Sequence, residues 1–214
     1  MSAQSDAGAV PLEREGVRGF LHAPKGGAGR GMVLTHGAGG NCTSPLLAAI
    51  ANALCSAGFT VLRCDLPFRQ ERPTGPPSPA KSARDRAGLK AAIKVLRQTV
   101  PGDITLGGHS YGGRQASMLC AEEPDVARGL LLLSYPLHPP GRPNQLRTEH
   151  LAKLRMPALF VHGTADPFGS IPEMEQALAM IPAPTKLLTI EGAGHDLKRG
   201  RLDLTGIVAA LAPH

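Results

Sequence analysis

The chain has no tryptophan and few aromatic side chains of any kind, 3 % of its 214 residues. A stacking platform for single-stranded nucleic acid needs such rings, so that class of function is not expected. Long apolar runs are also missing, and nothing approaches the roughly 18 residues that span a bilayer. The first ten residues are small and polar, without the apolar segment of a secretory signal. Cysteine is sparse: Cys42, Cys55, Cys64 and Cys120 show no CxxC pair and no metal-type spacing with histidine. The expectation is a cytoplasmic protein with reduced thiols, no metal and no membrane partner. A phosphate loop is absent too. The glycine-rich turn at 25–31 precedes a strand rather than a helix, and no Gly-Lys-Ser/Thr follows it.

What is present suits a globular enzyme-sized domain. Hydrophobic residues make up 42 % of the chain, near the norm for a packed core. With so few aromatics, Leu, Ala, Val and Ile must fill it. The length predicts a single domain over residues 17–214, preceded by a loose lead-in at 1–16. The net charge is +6, but the basic residues are scattered. Their densest group, Arg63, Arg69, Arg72, Lys81, Arg84 and Arg86, is broken by prolines and by Asp65, Glu71 and Asp85. That reads as a solvated loop, and no nucleic-acid partner is expected.

Short apolar runs alternate with helical periodicity. Strands are predicted at 17–22 (an edge), 32–35, 59–65, 104–106, 129–134, 158–162 and 186–190. Helices are predicted at 45–57, 82–98, 112–122, 171–180 and 202–211, the first capped by Ser44 or Thr43 and ended by Gly58. Proline-rich connections fill 66–81 and 135–147. Unbroken apolar strands between helices mean a mostly parallel sheet covered on both faces, an α/β fold without a large cap domain. In such sheets ligands bind beyond the carboxyl ends of the strands. Four unusual sequences fall at such ends: His36-Gly37-Ala38, His109-Ser110-Tyr111, Gly163-Thr164-Ala165-Asp166 and Gly192-Ala193-Gly194-His195.

The second of these lies in Gly108-His109-Ser110-Tyr111-Gly112, a Gly-x-Ser-x-Gly between a strand and a helix. A chain that turns directly from strand to helix strains its corner residue and pushes that side chain out at the top of the sheet. The flanking glycines remove Cβ atoms that would collide. Ser110 is the candidate nucleophile. A serine hydroxyl needs a base, and the base needs an acceptor that fixes its tautomer. His195 and Asp166 supply these in the chain order Ser, Asp, His, with Asp65 held as the reserve acid. Asp103 and Asp125 sit at the wrong strand ends, and Asp196 reads as a cap or a solvated charge. The oxyanion donors expected are the N–H of Tyr111 and that of Ala38, with Gly39 as second choice. His36, His109 and His162 read as packing residues at strand ends. The loops 68–81 and 135–147 are expected to rim the pocket, with Phe68, Arg69 and His138 contacting substrate and Arg69 favouring an anionic group.

Together these motifs resemble the α/β-hydrolase superfamily over about residues 17–212. The compact size is similar to its dienelactone-hydrolase-like branch, and to a predicted-hydrolase subgroup also seen in a chromatin-complex subunit and a testis-expressed protein. The resemblance implies a doubly wound sheet of about eight strands, a Ser-Asp-His triad and no cofactor. True dienelactone hydrolases carry a cysteine nucleophile where this chain has Ser110. No large insertion follows Ser134, where many relatives carry a helical lid, so a lipase with interfacial activation is not expected. The function expected is a serine hydrolase of small carboxylic esters or thioesters. Acyl transfer to an acceptor other than water uses the same residues, and a non-catalytic binding module on the same fold is the alternative of a different class. A homo-oligomer is compatible with the sequence.

Overall fold

Runs of Leu, Val and Ile build the central strands, as burial on both faces of a parallel sheet requires. The computed structural model describes residues 8–26, 29–139 and 141–211. Strands β1 (Ala9–Arg14), β2 (Val17–His22) and β3 (Arg30–Thr35) lead to helix α1 (Pro45–Ser56). Then come β4 (Phe59–Cys64), α2 (Pro67–Glu71), α3 (Ser82–Arg97), β5 (Ile104–His109) and α4 (Tyr111–Glu122). β6 (Gly129–Leu133), β7 (Ala158–Gly163), α5 (Ile171–Leu178), β8 (Thr185–Ile190) and α6 (Leu204–Leu211) complete the order. The strands form one eight-stranded sheet, β1-β2-β4-β3-β5-β6-β7-β8. β2 pairs antiparallel with β1 and with β4, and the remaining pairs are parallel. The mostly parallel α/β sheet matches the expectation, and no large cap lies among the described residues.

Alternation along each strand splits the core in two. Leu130 and Leu132 of β6 face one way, with Val33, Leu106 and Phe160, against Leu89, Ile93 and Leu96 of α3 and Leu119 of α4. Leu131 and Leu133 face the other way, with Met32, Leu34 and Val161, against Leu47, Ile50 and Leu54 of α1 and Ile207 of α6. A period of two is what a pleated strand imposes. Each fully buried side chain of this kind contributes about 1.5–3 kcal/mol.

Helix ends follow local chemistry to different degrees. Pro45 opens α1 and Gly58, at φ 88°, closes it, but neither Ser44 nor Thr43 caps it through its side chain. The Thr43 hydroxyl bonds to Asn41 instead. At α5, Ser170 and Glu173 make a reciprocal capping box. That cap leaves Asp166 free for another role.

The structure departs from expectation in two stretches. The lead-in expected to be loose contains β1, which makes β1 rather than β2 the sheet edge; residues 1–7 lie outside the described residues. Its side chains are half-buried or exposed and it contains Pro11, so the apolar alternation that marks a strand is faint. The proline-rich connection at 66–81 contains α2 and a 3-10 turn at Pro79–Lys81, both opened by proline at a first-turn position.

The connection from β6 to β7 is pinned from beneath. Tyr135 donates to the Arg147 carbonyl at 3.0 Å, and His150 Nε2 lies 2.8 Å from the Ser117 hydroxyl of α4. Burial, with Arg114 nearby, pushes the His150 pKa down to about 4. The unfolded chain therefore binds more protons than the native one between about pH 4 and the unfolded value near 6.5. The stabilisation is fully present above that upper value and is lost as the pH falls toward 4. His36, His109 and His162, also lowered by burial, act in the same direction. The urea midpoint is accordingly expected to fall between pH 7 and pH 5, and His150→Gln to flatten that slope. Equal slopes in both proteins would show that His150 is not held neutral.

Candidate active site

The site grows from a corner. Between β5 and α4, Ser110 adopts φ 51° and ψ −116°, a backbone conformation that residues other than glycine rarely hold. It is held by packing. A Cβ on Gly112 would lie 2.4 Å from the His36 carbonyl oxygen, and one on Gly108 2.7 Å from the backbone of Gly112. The Ser110 N–H donates to Leu133 O of β6 at 2.8 Å. Strand, turn and helix thus lock together, and the Ser110 side chain is left at the sheet's carboxyl edge.

His195 arrives there from the loop after β8. Gly163 makes room for that loop, since a Cβ on it would meet the Ala193 carbonyl at 2.2 Å. The imidazole Nε2 lies 2.7 Å from Ser110 Oγ. Its Nδ1 lies 2.9 Å and 3.1 Å from the two carboxylate oxygens of Asp166, whose side chain is fully buried. A buried carboxylate keeps the ring proton on Nδ1, so Nε2 is left to accept from the serine hydroxyl. The Phe168 N–H donates to Asp166 Oδ1, and the Phe168 ring stacks on His195 with centroids 4.1 Å apart. His109 Nε2 lies 2.8 Å from the His195 carbonyl. The reserve acid Asp65 is engaged elsewhere, accepting from the Arg18 guanidinium and the Cys42 N–H.

The facing loop, 36–41, is held rigid. The Leu66 N–H donates to His36 Nε2 at 3.1 Å, so Nδ1 carries the proton and donates to the Gly37 carbonyl at 2.8 Å. Burial lowers the His36 pKa and favours this neutral tautomer. The Arg69 guanidinium donates to the carbonyls of Ala38 at 2.6 Å, Gly40 at 2.8 Å, Gly75 at 3.1 Å and Arg72 at 3.2 Å. In a trans peptide the N–H points opposite the carbonyl. Fixing the Gly37 and Ala38 carbonyls therefore turns the N–H groups of Ala38 and Gly39 away from His36 and Arg69. The Tyr111 N–H, in the first turn of α4, has no acceptor within its own helix.

A family model described as an alpha/beta hydrolase domain matches residues 28–206. The chain belongs to that family. Its fold is similar to that of a dienelactone hydrolase from Anabaena variabilis, at 22 % identity and TM-score 0.70 over 94 % of this chain and 92 % of that one. Est1E from Butyrivibrio proteoclasticus matches at 20 % identity and TM-score 0.71 over 95 % of both chains. An alpha-beta serine hydrolase homologue from Coxiella burnetii matches at 19 % and 0.73, over 95 % of this chain and 97 % of that one.

In this alpha/beta hydrolase a cavity of about 1350 Å³ opens over Ser110, lined also by Ala38, Tyr111 and His195. Its walls are apolar at Leu46, Leu47, Met118, Leu202 and Leu204. The two proline-rich connections contribute Pro76, Pro77, Pro79, Pro136 and Arg147. Both rim loops are thus where the sequence placed them, but the three residues expected to touch substrate do not line the cavity. Arg69 is buried and consumed by four backbone carbonyls. Phe68 is buried between His36 and Tyr111. His138 is buried and bonded to the Pro139 carbonyl. Phe168, Arg114 and Met118 escaped the sequence reading. Phe168 stands two residues after Asp166, while Arg114 and Met118 stand four and eight after Ser110, a helical spacing that carries them along α4 toward the same side. Among the described residues no cluster of three or more His, Cys, Asp and Glu side chains offers a metal site, and no helix is long and apolar enough to cross a membrane.

The corner itself is testable. Gly112→Ala drives a methyl into backbone, a strain of about 1–3 kcal/mol. The melting temperature is expected to drop by several degrees. Gly39→Ala, where a Cβ meets nothing within 4 Å, is expected to melt with the wild type. Identical melting of all three proteins would contradict the packing described.

Proposed function

We propose that the protein is a serine hydrolase that cleaves carboxylic esters or thioesters through an acyl-serine intermediate. The observation that carries this reading is the continuous run of hydrogen bonds from Asp166 through His195 to Ser110. Ser110 Oγ attacks the carbonyl carbon while His195 Nε2 takes its proton, and Asp166 stabilises the imidazolium through Nδ1–H. The N–H groups of Tyr111 and Ala38, with Gly39 beside them, hold the oxyanion. Collapse expels the alcohol or thiol, which receives the proton from His195. Water, deprotonated in turn by His195, then releases the acid and restores the serine. Apart from substrate and water, every group this cycle uses comes from the chain, and the reading calls for no cofactor.

The open cavity over Ser110 favours turnover over the alternative of a pure binding module, whose pocket has no need to expose a nucleophile. Residues 17–214, with β1 added, act as one catalytic domain. A cytoplasmic location accords with four cysteines that are all unpaired.

A fluorophosphonate probe loses fluoride to an activated serine and tests this directly. Wild type is expected to label and Ser110→Ala to remain unlabelled. His195→Gln is expected to slow labelling about a thousandfold or more. Equal labelling of wild type and Ser110→Ala would remove the reading.

A further inference from the structure

One buried side chain in α3 is of the wrong kind for its place. Leu89, Ile93 and Leu96 form an apolar stripe at helical spacing, and Asp85 stands one turn earlier on it, 1 % exposed. Burying a carboxylate is costly, and Asp85 makes no ion pair among the described residues. Two hydrogen bonds hold it instead. Its Oδ2 accepts from the Tyr111 hydroxyl at 2.7 Å and its Oδ1 from the Phe68 N–H at 3.1 Å. The first turn of α3, where it sits, also favours an anion.

Each of the two donors belongs to a different side of the site. Tyr111 opens α4 directly after Ser110, and its N–H is one of the groups assigned above to the oxyanion. Phe68 lies in the first turn of α2, and the next residue, Arg69, grips the carbonyls of Ala38 and Gly40. Two residues before Phe68, the Leu66 N–H fixes His36, which in turn fixes the Gly37 carbonyl and so the direction of the Ala38 N–H. The Phe68 ring packs between those of His36 and Tyr111, with centroids 5.6 and 5.7 Å away. Helix α3 is tight against the start of α2, since a Cβ on Gly88 would lie 2.5 Å from the Pro67 ring. A cap for α2 would need only the bond from Phe68. The second bond, from Tyr111, ties the nucleophile's helix to the same carboxylate.

We propose that Asp85 is a positioning residue that sets the gap between the Tyr111 and Ala38 N–H groups, and with it the fit of the oxyanion. The assignment rests on the hydrolase reading above. Asp85 does not line the cavity, so it acts through Tyr111 and through the loop at 36–41. Donors stabilise an oxyanion only when they are aimed at it from hydrogen-bond distance, so a small change in this gap weakens the transition state more than the bound ester.

The test uses p-nitrophenyl acetate. Formation and breakdown of the acyl-serine both pass through an oxyanion, so kcat reads the gap whichever step limits. Asp85→Leu keeps the forked shape of the side chain and removes both acceptors. It is expected to lower kcat about tenfold to a hundredfold, less than the loss of a donor outright, with KM unchanged. Asp85→Asn can still accept from the Phe68 N–H and can donate to the Tyr111 oxygen, so it is expected to recover most of that loss. Tyr111→Phe is expected to lower kcat about tenfold, and to lower it no further in the Asp85→Leu background, because both changes break one bond. Ile93→Val, buried on the same stripe, is expected to lower the melting temperature and leave kcat alone. Wild-type kcat in Asp85→Leu, a loss carried by KM, no recovery in Asp85→Asn, or effects that multiply in the double variant would each overturn the proposal. If Asp85→Leu does not fold, Tyr111→Phe decides: a lower kcat at constant KM sustains the assignment and a wild-type kcat ends it. If wild type neither hydrolyses the ester nor takes the fluorophosphonate label, the hydrolase reading falls and this assignment with it. If wild type does both, the variants judge this assignment alone.

Discussion

Everything at the catalytic edge depends on the backbone of one residue. Ser110 holds φ 51° because β5, α4 and the loop after β3 meet too tightly around Gly108 and Gly112 for the chain to relax. Such a conformation costs of order 1–3 kcal/mol and persists only where the surroundings over-determine it. The surroundings here are the two cores. Leu132 and Leu133, on opposite faces of β6, are each fully buried, and the Ser110 N–H is tied to the Leu133 carbonyl. Packing on both sides of the sheet is thereby converted into the exposure of a single hydroxyl.

Around that corner the groups proposed to react are distinct from the groups that hold. His195 is half-exposed and within reach of Ser110, while Asp166 is sealed beneath it. His36 and His162 are buried and His109 half-buried, desolvation favours the neutral form of all three, and each is spent on backbone: the Gly37 carbonyl, the Gly169 carbonyl and the His195 carbonyl in turn. Arg69 does the same for the loop opposite. The thiols of Cys42, Cys64 and Cys120 are buried and held protonated, their pKa values pushed up chiefly by loss of solvation. Only the serine, among the nucleophiles described, is joined to a base at the cavity.

The sequence singled out Ser110, Asp166 and His195, which the structure brings within hydrogen-bond range of one another, because each follows an apolar strand and is accompanied by glycines, a pattern that can be read without coordinates. It disclosed the parallel sheet for the same reason. It hid β1, whose sparse alternation and proline do not look like a strand until β2 lies beside it. It misdirected Arg69, Phe68 and His138, since a side chain in a proline-rich loop can point inward or outward and local composition does not decide which. Arg69 points inward because four carbonyls wait there. Arg114 of α4, one turn from Ser110, lines the cavity, and helical periodicity alone does not single it out.

The aromatic ring laid against His195 bears on timing as well as position. Phe168 lies against the imidazole with ring centroids 4.1 Å apart and planes tilted by 31°. A ring face attracts a cation more than a neutral partner. In the cycle proposed above His195 becomes that cation on taking the serine proton, and the ring beside it would be a better neighbour at the moment of charge separation. A flat hydrocarbon surface, polar in no ordinary sense, would thus serve the ionic half of that proposed cycle.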